Sequence, residues 1–529
     1  MRTDVVIVGA GAAGLLAAVA ARRLGHDVLL VERTAAVGGA TAGTDGHLWV
    51  PGNDLMGRGG LPADSAEEGL AYLDGLAAPR DDVTAARRTA FARTAAVMAR
   101  WLVSSRIALE AVKGLPDCRP DTDGGKAQGR TLRARPPAAR LDAEWAGRLR
   151  TPPGGERGEG LLGRLRRGLG DRAQPTGGGA LVGELLRRAL GSGVEIWLES
   201  PMAELLVADG TVRGVVVERE GALVEVAAER GVLLACGGFE ADQELRERHL
   251  PAPTSAAWSV GGGNDGAALR AGAQVDAALA ELDQAWWTPV LLADGVAHRL
   301  DVARVAPHGL IVDVAGDRYH NEAEPGVWAG RRMFEHNRGN RSVPSFLIVD
   351  NRHRKQHDLG PWPAGSSPKE AIEAGELVRA TSLDELAESL EIDRAGVLGS
   401  VVAFNQLAKR GRDTDFRRGE SAWDKYFGDP LLRRNPCLGT VDRQPFWGVR
   451  IYPGDAGTAG GLVIDERSRV VRADGVPVPG LWACAGAAAA PFGGVQPGDG
   501  AALSVALVDA YRAVVDLSDQ LDRIDEALG

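Results

Sequence analysis

The sequence predicts an α/β fold, and three stretches carry that reading. Val5–Val8, a glycine turn, an alanine- and leucine-rich segment and Val28–Val31 read as strand, turn, helix and strand. "GVLLACGGFE" reads as a buried strand that ends in the pair Gly237-Gly238. "GDGAALSVALVDAYRAVV" reads as a glycine turn that opens a closing helix. The chain has 529 residues, 44% hydrophobic and 25% charged, which is room and composition enough for several globular units.

The first turn carries chemistry. Gly9, Gly11 and Gly14 form GxGxxG between a strand and a helix, and Glu32 ends the second strand. Gly9 allows the tight turn, Gly11 lets backbone approach a pyrophosphate, and Gly14 lets helix and strand pack closely, with Ala13 in the same turn. Glu32 stands at the distance expected for a ribose hydroxyl, followed by Arg33. Beyond it, "RTAAVGGATAG" places Gly38, Gly39, Ala40 and Thr41 where the chain can pass close to the rest of a long dinucleotide. No second GxGxxG follows a strand, so a separate nicotinamide domain is not expected.

The remaining elements follow in order. Asp64–Leu76, Asp82–Val103 and Gly177–Leu190 read as helices, and Gly124–Pro175 as an irregular excursion with a short helix near Leu161–Leu169. Strands alternate with turns at Asp209-Gly210 and Glu220-Gly221. Trp286 and Trp287 open a middle region to about Gly448, read as core or pocket wall. In it, "RVAPHGLIVDVAGDRYHNEAEPG" reads as strand, Ala315-Gly316 turn and strand. The net charge of −10 argues against a nucleic-acid partner, and no stretch is long and apolar enough for a transmembrane segment. Four scattered cysteines with no CxxC pair predict reduced thiols, no metal site and a cytoplasmic setting.

Taken in order, "GGATAGTDGHLWVPGN", "ACGGFE", "GGGNDGAALRAGAQVD", "AWWTPV", "GDRYHNEAEP", "GTAGGLVIDERSRVV", "VPGLWACAGAAA" and "QPGDGA" resemble the fumarate reductase and succinate dehydrogenase flavoproteins. Within them the chain is most similar to the 3-ketosteroid Δ1-dehydrogenase branch. The resemblance implies a Rossmann-like FAD-binding domain made of residues 1–285 and 449–529, with an inserted α+β substrate domain, 286–448, over the isoalloxazine ring. It also implies that Gly461, Gly486, Gly498, Gly500 and Ala501 surround FAD. Gly500 precedes the closing helix, so its N–H is a donor near the positive pole.

The resemblance also implies three tyrosines: one binding the substrate carbonyl, one taking the α-proton and one supporting it. Their positions hold Gln496, Gly326 and Cys118 here. A glutamine amide still donates, so Gln496 and the Gly500 N–H are candidates for a carbonyl site. Gly326 cannot take a proton. Asp45 and His47 lie in a stretch near the flavin and are candidates for base and orienter; covalent attachment of His47 to FAD is a second role open to it. Asp499 is expected to cap the closing helix, with orienting Gln496 as its second role, and Glu324 and Trp328 to border the pocket.

The function expected is an FAD-dependent dehydrogenase or oxidase taking hydride from a CH–CH or related bond of a hydrophobic, carbonyl-bearing ring substrate. Its changed base points to a specialised metabolite and away from standard ketosteroid chemistry. Oxygen, a quinone or another acceptor would take the electrons. Two alternatives are an ene reductase with Arg331 or Arg332 as acid, and a flavin-binding protein without catalysis.

Overall fold

The computed structural model describes residues 1–136, 141–150 and 177–522. The short helix expected near Leu161–Leu169 lies outside the described residues. Among them, an eight-stranded sheet has Arg2–Val8 at its centre, between Val28–Val31 and Ala222–Leu234. Glu195–Trp197 continues it beyond Val28–Val31, and Pro477–Ala483 with Arg469–Val471 continue it beyond Ala222–Leu234. The central ladders are parallel: Val5 lies opposite Val28 and Gly231, and Leu233 opposite Trp482.

A parallel sheet covered on both faces needs strands that are apolar throughout, and Val5, Val6 and Ile7 are fully buried. Alternation decides where each side chain goes. Val5 and Ile7 join the core made with helices Ala12–Arg23, Gly177–Gly191 and Ala501–Leu517. Val6 and Val8 join the opposite core, formed with the hairpin strands Met202–Ala208 and Thr211–Arg219 and with Leu462 and Ile464.

A six-stranded sheet lies between the two halves of the first in sequence. It runs Val296–Arg299, Ala285–Ala293, Phe446–Thr458, Ser345–Val349, Gly309–Val312, with Val378–Ala380 also paired to Phe446–Thr458. Leu347 and Val349 face one core, Phe346 and Ile348 the other. The strand expected after the Ala315-Gly316 turn does not form. Buried charges decide this segment instead: Arg318 grips Glu322 through two 2.8 Å bonds and Asp413 at 2.8 Å, and Arg418 lies 3.2 Å from Glu322. The chain then enters the helix Gly326–Asn337, which the sequence reading did not foresee, with Pro325 at its start.

Three short strands, His47–Trp49, Thr131–Ala134 and Leu109–Ala111, form a small antiparallel sheet under the C-terminal loop. Buried Arg130 anchors it, reaching Asp64 at 2.6 Å and Asp117 at 2.8 Å and lying over the rings of Trp49 and Tyr72. Trp49 donates its indole N–H to Asp117 at 2.7 Å. Substituting Arg130→Met strands two buried carboxylates, and the expected cost is about 3–5 kcal/mol. Urea unfolding would measure it; a loss below about 1 kcal/mol, the range of an exposed pair, would show that the network is not the anchor.

Candidate active site

The sheet's C-terminal edge opens into a long cleft. Gly9, Gly11, Ala12 and Ala13 line one end with Glu32 and Arg33; Gly39, Ala40, Thr41 and Gly237 follow; Gly486, Ala502 and Leu503 lie further on. The glycine turn has the geometry its spacing predicts. Gly9 has φ +110°, and a Cβ there would stand 2.5 Å from the Ala235 carbonyl oxygen. A Cβ on Gly14 would stand 1.9 Å from Gly9 O, so helix and strand touch there. A Cβ on Gly11 would meet nothing within 4 Å and would project into open space. Gly11 is also the N-cap of the helix Ala12–Arg23 and offers no side-chain acceptor to its first N–H groups. An anion-accepting helix end beside a glycine whose missing side chain leaves room fits the pyrophosphate of FAD.

Glu32 is held by the chain's own donors. Its Oε2 accepts from Ala10 N–H at 2.9 Å and its Oε1 from Thr34 N–H and hydroxyl, each at 2.9 Å. The carboxylate is thereby fixed at the cleft wall, with lone pairs left for a ribose hydroxyl. Arg33 donates to Gly263 O at 2.7 Å and lies 3.2 Å from Asp265. The cleft also takes in Trp286, read from sequence as core or pocket wall, and Ser200, Met202, Asn264 and Ala456–Ala459, which the sequence reading did not assign to it. "GGGNDG" was one sequence signal for that part of the wall.

Gly461, Gly498, Gly500 and Ala501 do not line this cleft. Gly461 sits in a short strand, where a Cβ would lie 2.7 Å from Ala487 O. A Cβ on Gly498 would lie 2.1 Å from the Trp49 ring, and one on Gly500 2.1 Å from His47 O. These glycines let the C-terminal loop press onto the strand His47–Trp49. Ala501 is fully buried.

That contact assembles a polar cluster. His47 Nδ1 lies 2.8 Å from Asp499 Oδ2, and ligand-type atoms of Asp45, His47 and Asp499 all fall within 4.8 Å of one another. Asp499 therefore partners His47 and does not cap the closing helix, whose N-cap is Gly500 with no side-chain bond. His47 is hydrogen-bonded to Asp499, and Asp45, the residue that the Asp–x–His spacing pointed to, acts on it through its charge. Burial opposes charge on the imidazole, but the Asp499 bond and charge and the Asp45 charge outweigh it, so His47 titrates above the ordinary 6.5. Burial likewise opposes charge on Asp499, yet His47 and Arg299 hold its carboxyl below the usual 3.8. The pair leans toward imidazolium–carboxylate, which suits a proton donor or charged anchor better than a free base.

Gln496 is half-buried and makes one long bond, Nε2 to Gly498 O at 3.4 Å. Cys118 is buried, and its N–H donates to Pro497 O at 2.9 Å, one residue from Gln496. Tyr72 donates its hydroxyl to the same carbonyl at 2.8 Å. Gly326 opens its helix beside Thr288 and the Trp287 carbonyl. Trp287 is core, whereas Trp286 walls the cleft. Arg331 donates to Gly494 O at 3.2 Å, and half-exposed Arg332 pairs with Glu335 at 2.8 Å, so neither is placed as a free acid.

Two outcomes follow. Gly11→Val should leave the apoprotein's unfolding midpoint nearly unchanged but weaken FAD by at least about tenfold, roughly 1.4 kcal/mol; flavin fluorescence titration reads it. For His47, a raised folded pKa means its stabilisation is complete below 6.5 and is lost as pH climbs through the raised value. Asp499's lowered pKa means its share is present above 3.8 and lost as pH falls through the depressed value. His47→Asn should therefore cost most in the mildly acidic range and least in alkali, as urea midpoints across pH would show.

The comparisons with known proteins agree with this geometry. The FAD binding domain family matches residues 4–503. The 3-oxosteroid 1-dehydrogenase of Mycobacterium tuberculosis is 33% identical over 98% of each chain. The 4-oxocyclohex-2-ene-1-carboxylate 5-dehydrogenase of Sinomonas cyclohexanicum is 32% identical over 97% of this chain and 93% of its own. The structure of 3-ketosteroid delta1-dehydrogenase from Sterolibacterium denitrificans superposes with a TM-score of 0.91 at 31% identity, covering 98% of this chain and 99% of that one. No helix among the described residues is long and apolar enough to cross a membrane. With its glycine turn, its cleft and its near full-length match, the chain belongs to the FAD binding domain family and is an FAD-dependent oxidoreductase of the 3-oxosteroid dehydrogenase group, acting on CH–CH groups.

Proposed function

We propose that this oxidoreductase oxidises a CH–CH or related bond of a hydrophobic, carbonyl-bearing ring substrate, and that the substrate is a specialised ring ketone, not a standard 3-oxosteroid. The observation that supports the reading is that the loop Gly493–Gly500 runs between Ala490 and Ala502, which line the cleft, and that its Pro497 carbonyl accepts from the Cys118 N–H, next to Gln496. Relatives named for oxosteroids and for oxocyclohexene carboxylates share a ring carbonyl, which supports the substrate class. When bound, FAD would supply the two-electron oxidant. The chain's own residues do the rest. The Gln496 amide, with only one long bond of its own, offers an N–H to the ring carbonyl. The Gly500 N–H at the head of the closing helix adds a second donor. His47, drawn toward its charged form by Asp499, places a hydrogen-bonded proton in the same loop region. Oxygen or a quinone would serve as electron acceptor.

The division into 1–285, 286–448 and 449–529 belongs to the same reading. The unbroken strand Phe446–Thr458, paired to Ala285–Ala293, supports moving the second boundary from 448 to 458.

Anaerobic mixing of the holoenzyme with a panel of ring ketones should bleach the flavin with non-steroidal members such as 4-oxocyclohex-2-ene-1-carboxylate and much more slowly with a 3-oxosteroid. Failure with every member would overturn the reading. Gln496→Leu should keep its FAD and lose about 10²–10³ in the bleaching rate, the usual cost of one carbonyl-directed donor.

A further inference from the structure

Resting on that reading, we propose that Glu324 is the proton acceptor of the substrate pocket, taking the place of the phenol that Gly326 cannot supply. Glu324 stands two residues before Gly326, on the segment that leads into the helix Gly326–Asn337. Its position is fixed: its N–H donates to Asn321 O at 3.2 Å, and its carbonyl accepts from Arg304 at 2.6 Å. The residue is only 5% exposed. Its Oε2 accepts from Arg119 Nη2 at 3.2 Å, and its Oε1 is buried with no partner. Arg119 in turn lies over the Trp328 ring, 4.9 Å from its centre, and its N–H donates to Tyr72 at 3.0 Å.

The placement matters more than any single bond. Cys118 and Gly326 occupy the two positions where the resemblance expects a supporting and a proton-taking tyrosine. Arg119 follows the first, Glu324 precedes the second, and the two side chains pair. An ion pair therefore joins the same two segments, with one carboxylate oxygen left over. Neighbouring buried carboxylates have no such oxygen: Glu322 is spent on Arg318 and Arg418, and Asp424 on Asn321, Ser421 and the Gly419 N–H. Glu240 has an unpartnered oxygen too, but it lines the cofactor cleft. Burial lifts the Glu324 carboxyl to about 7 against the pull of Arg119, Arg332 and Arg304. Those three guanidiniums and the Tyr319 phenol are the charged and titratable groups that face it.

In the step, the C–H bond next to the ring carbonyl breaks and Glu324 Oε1 takes the proton. The electron pair enters the new C=C bond, and FAD, when bound, would supply the two-electron oxidant for the hydride lost from the adjacent carbon. Proton removal can be read apart from oxidation. Holoenzyme with its flavin already reduced is mixed in D2O with 4-oxocyclohex-2-ene-1-carboxylate, and NMR follows loss of the α-hydrogen. The wild type should exchange it, faster as pH rises through about 7. Glu324→Gln should keep its FAD and exchange about 10²–10⁴-fold more slowly, and Glu324→Asp should recover part of the loss. Exchange at the wild-type rate in Glu324→Gln overturns the proposal. If that variant does not fold, the wild-type profile decides, and no rise in exchange between about pH 5 and 9 overturns it. Wild type that bleaches in the oxidised state but never exchanges also overturns it. Wild type that does neither brings down the underlying reading and this proposal together.

Discussion

The contact on which the site depends is the pressing of the C-terminal loop onto the strand His47–Trp49. It is made without side chains on one side: neither Gly498 nor Gly500 could carry a Cβ against Trp49 or the His47 carbonyl. Close backbone approach of this kind leaves no slack, and buried polar groups hold it in register. Tyr72 and the Cys118 N–H share the Pro497 carbonyl, and Trp49 is fixed through Asp117 to Arg130. Arg87, Arg88 and Arg331 secure the preceding carbonyls of Ala489, Pro491 and Gly494. Five donors from four separate parts of the chain thus position one short loop. Gln496 and Asp499 inherit their placement from it.

The same logic explains why charge sits inside this protein. Burying an ion is costly unless it is paired and hydrogen-bonded. Arg130, Arg318 and Arg418 meet that condition with carboxylates or carbonyls around most of the guanidinium. They act as internal ties between segments too irregular to form sheet. Glu324 differs because half of its carboxylate is left unanswered, and an unanswered buried oxygen is a place where a proton or a ligand gains most.

Much of the fold was legible because its causes are local. Aliphatic strands, an alanine-rich helix and glycines at a turn identify the nucleotide cleft from a few dozen residues, and Gly9, Gly11 and Gly14 have the geometry their spacing predicts. The helix Gly326–Asn337 was missed although Val327, Gly330, Met333 and Phe334 are buried at helical spacing, because Pro325 and the glycines at 326 and 330 read as loop. Asp499 was read as a helix cap from its neighbours alone; its partner lies 452 residues away in sequence. Gly498 and Gly500 also admit the indole and the His47 backbone, a contact that the resemblance did not imply. Interactions across such distances are set by tertiary packing, and sequence spacing carries no record of them.

The parallel ladder has a consequence for biosynthesis. Residues 2–8 pair with 222–234, which pair in turn with 477–483. An emerging polypeptide thus holds the first glycine turn for most of its synthesis without the strands that complete its sheet. Contacts this distant close late, and domains fold as units while the chain is made. Capture of the yellow cofactor is then one of the last events in maturation. A nascent chain stalled before residue 477 would carry the fingerprint and still be colourless.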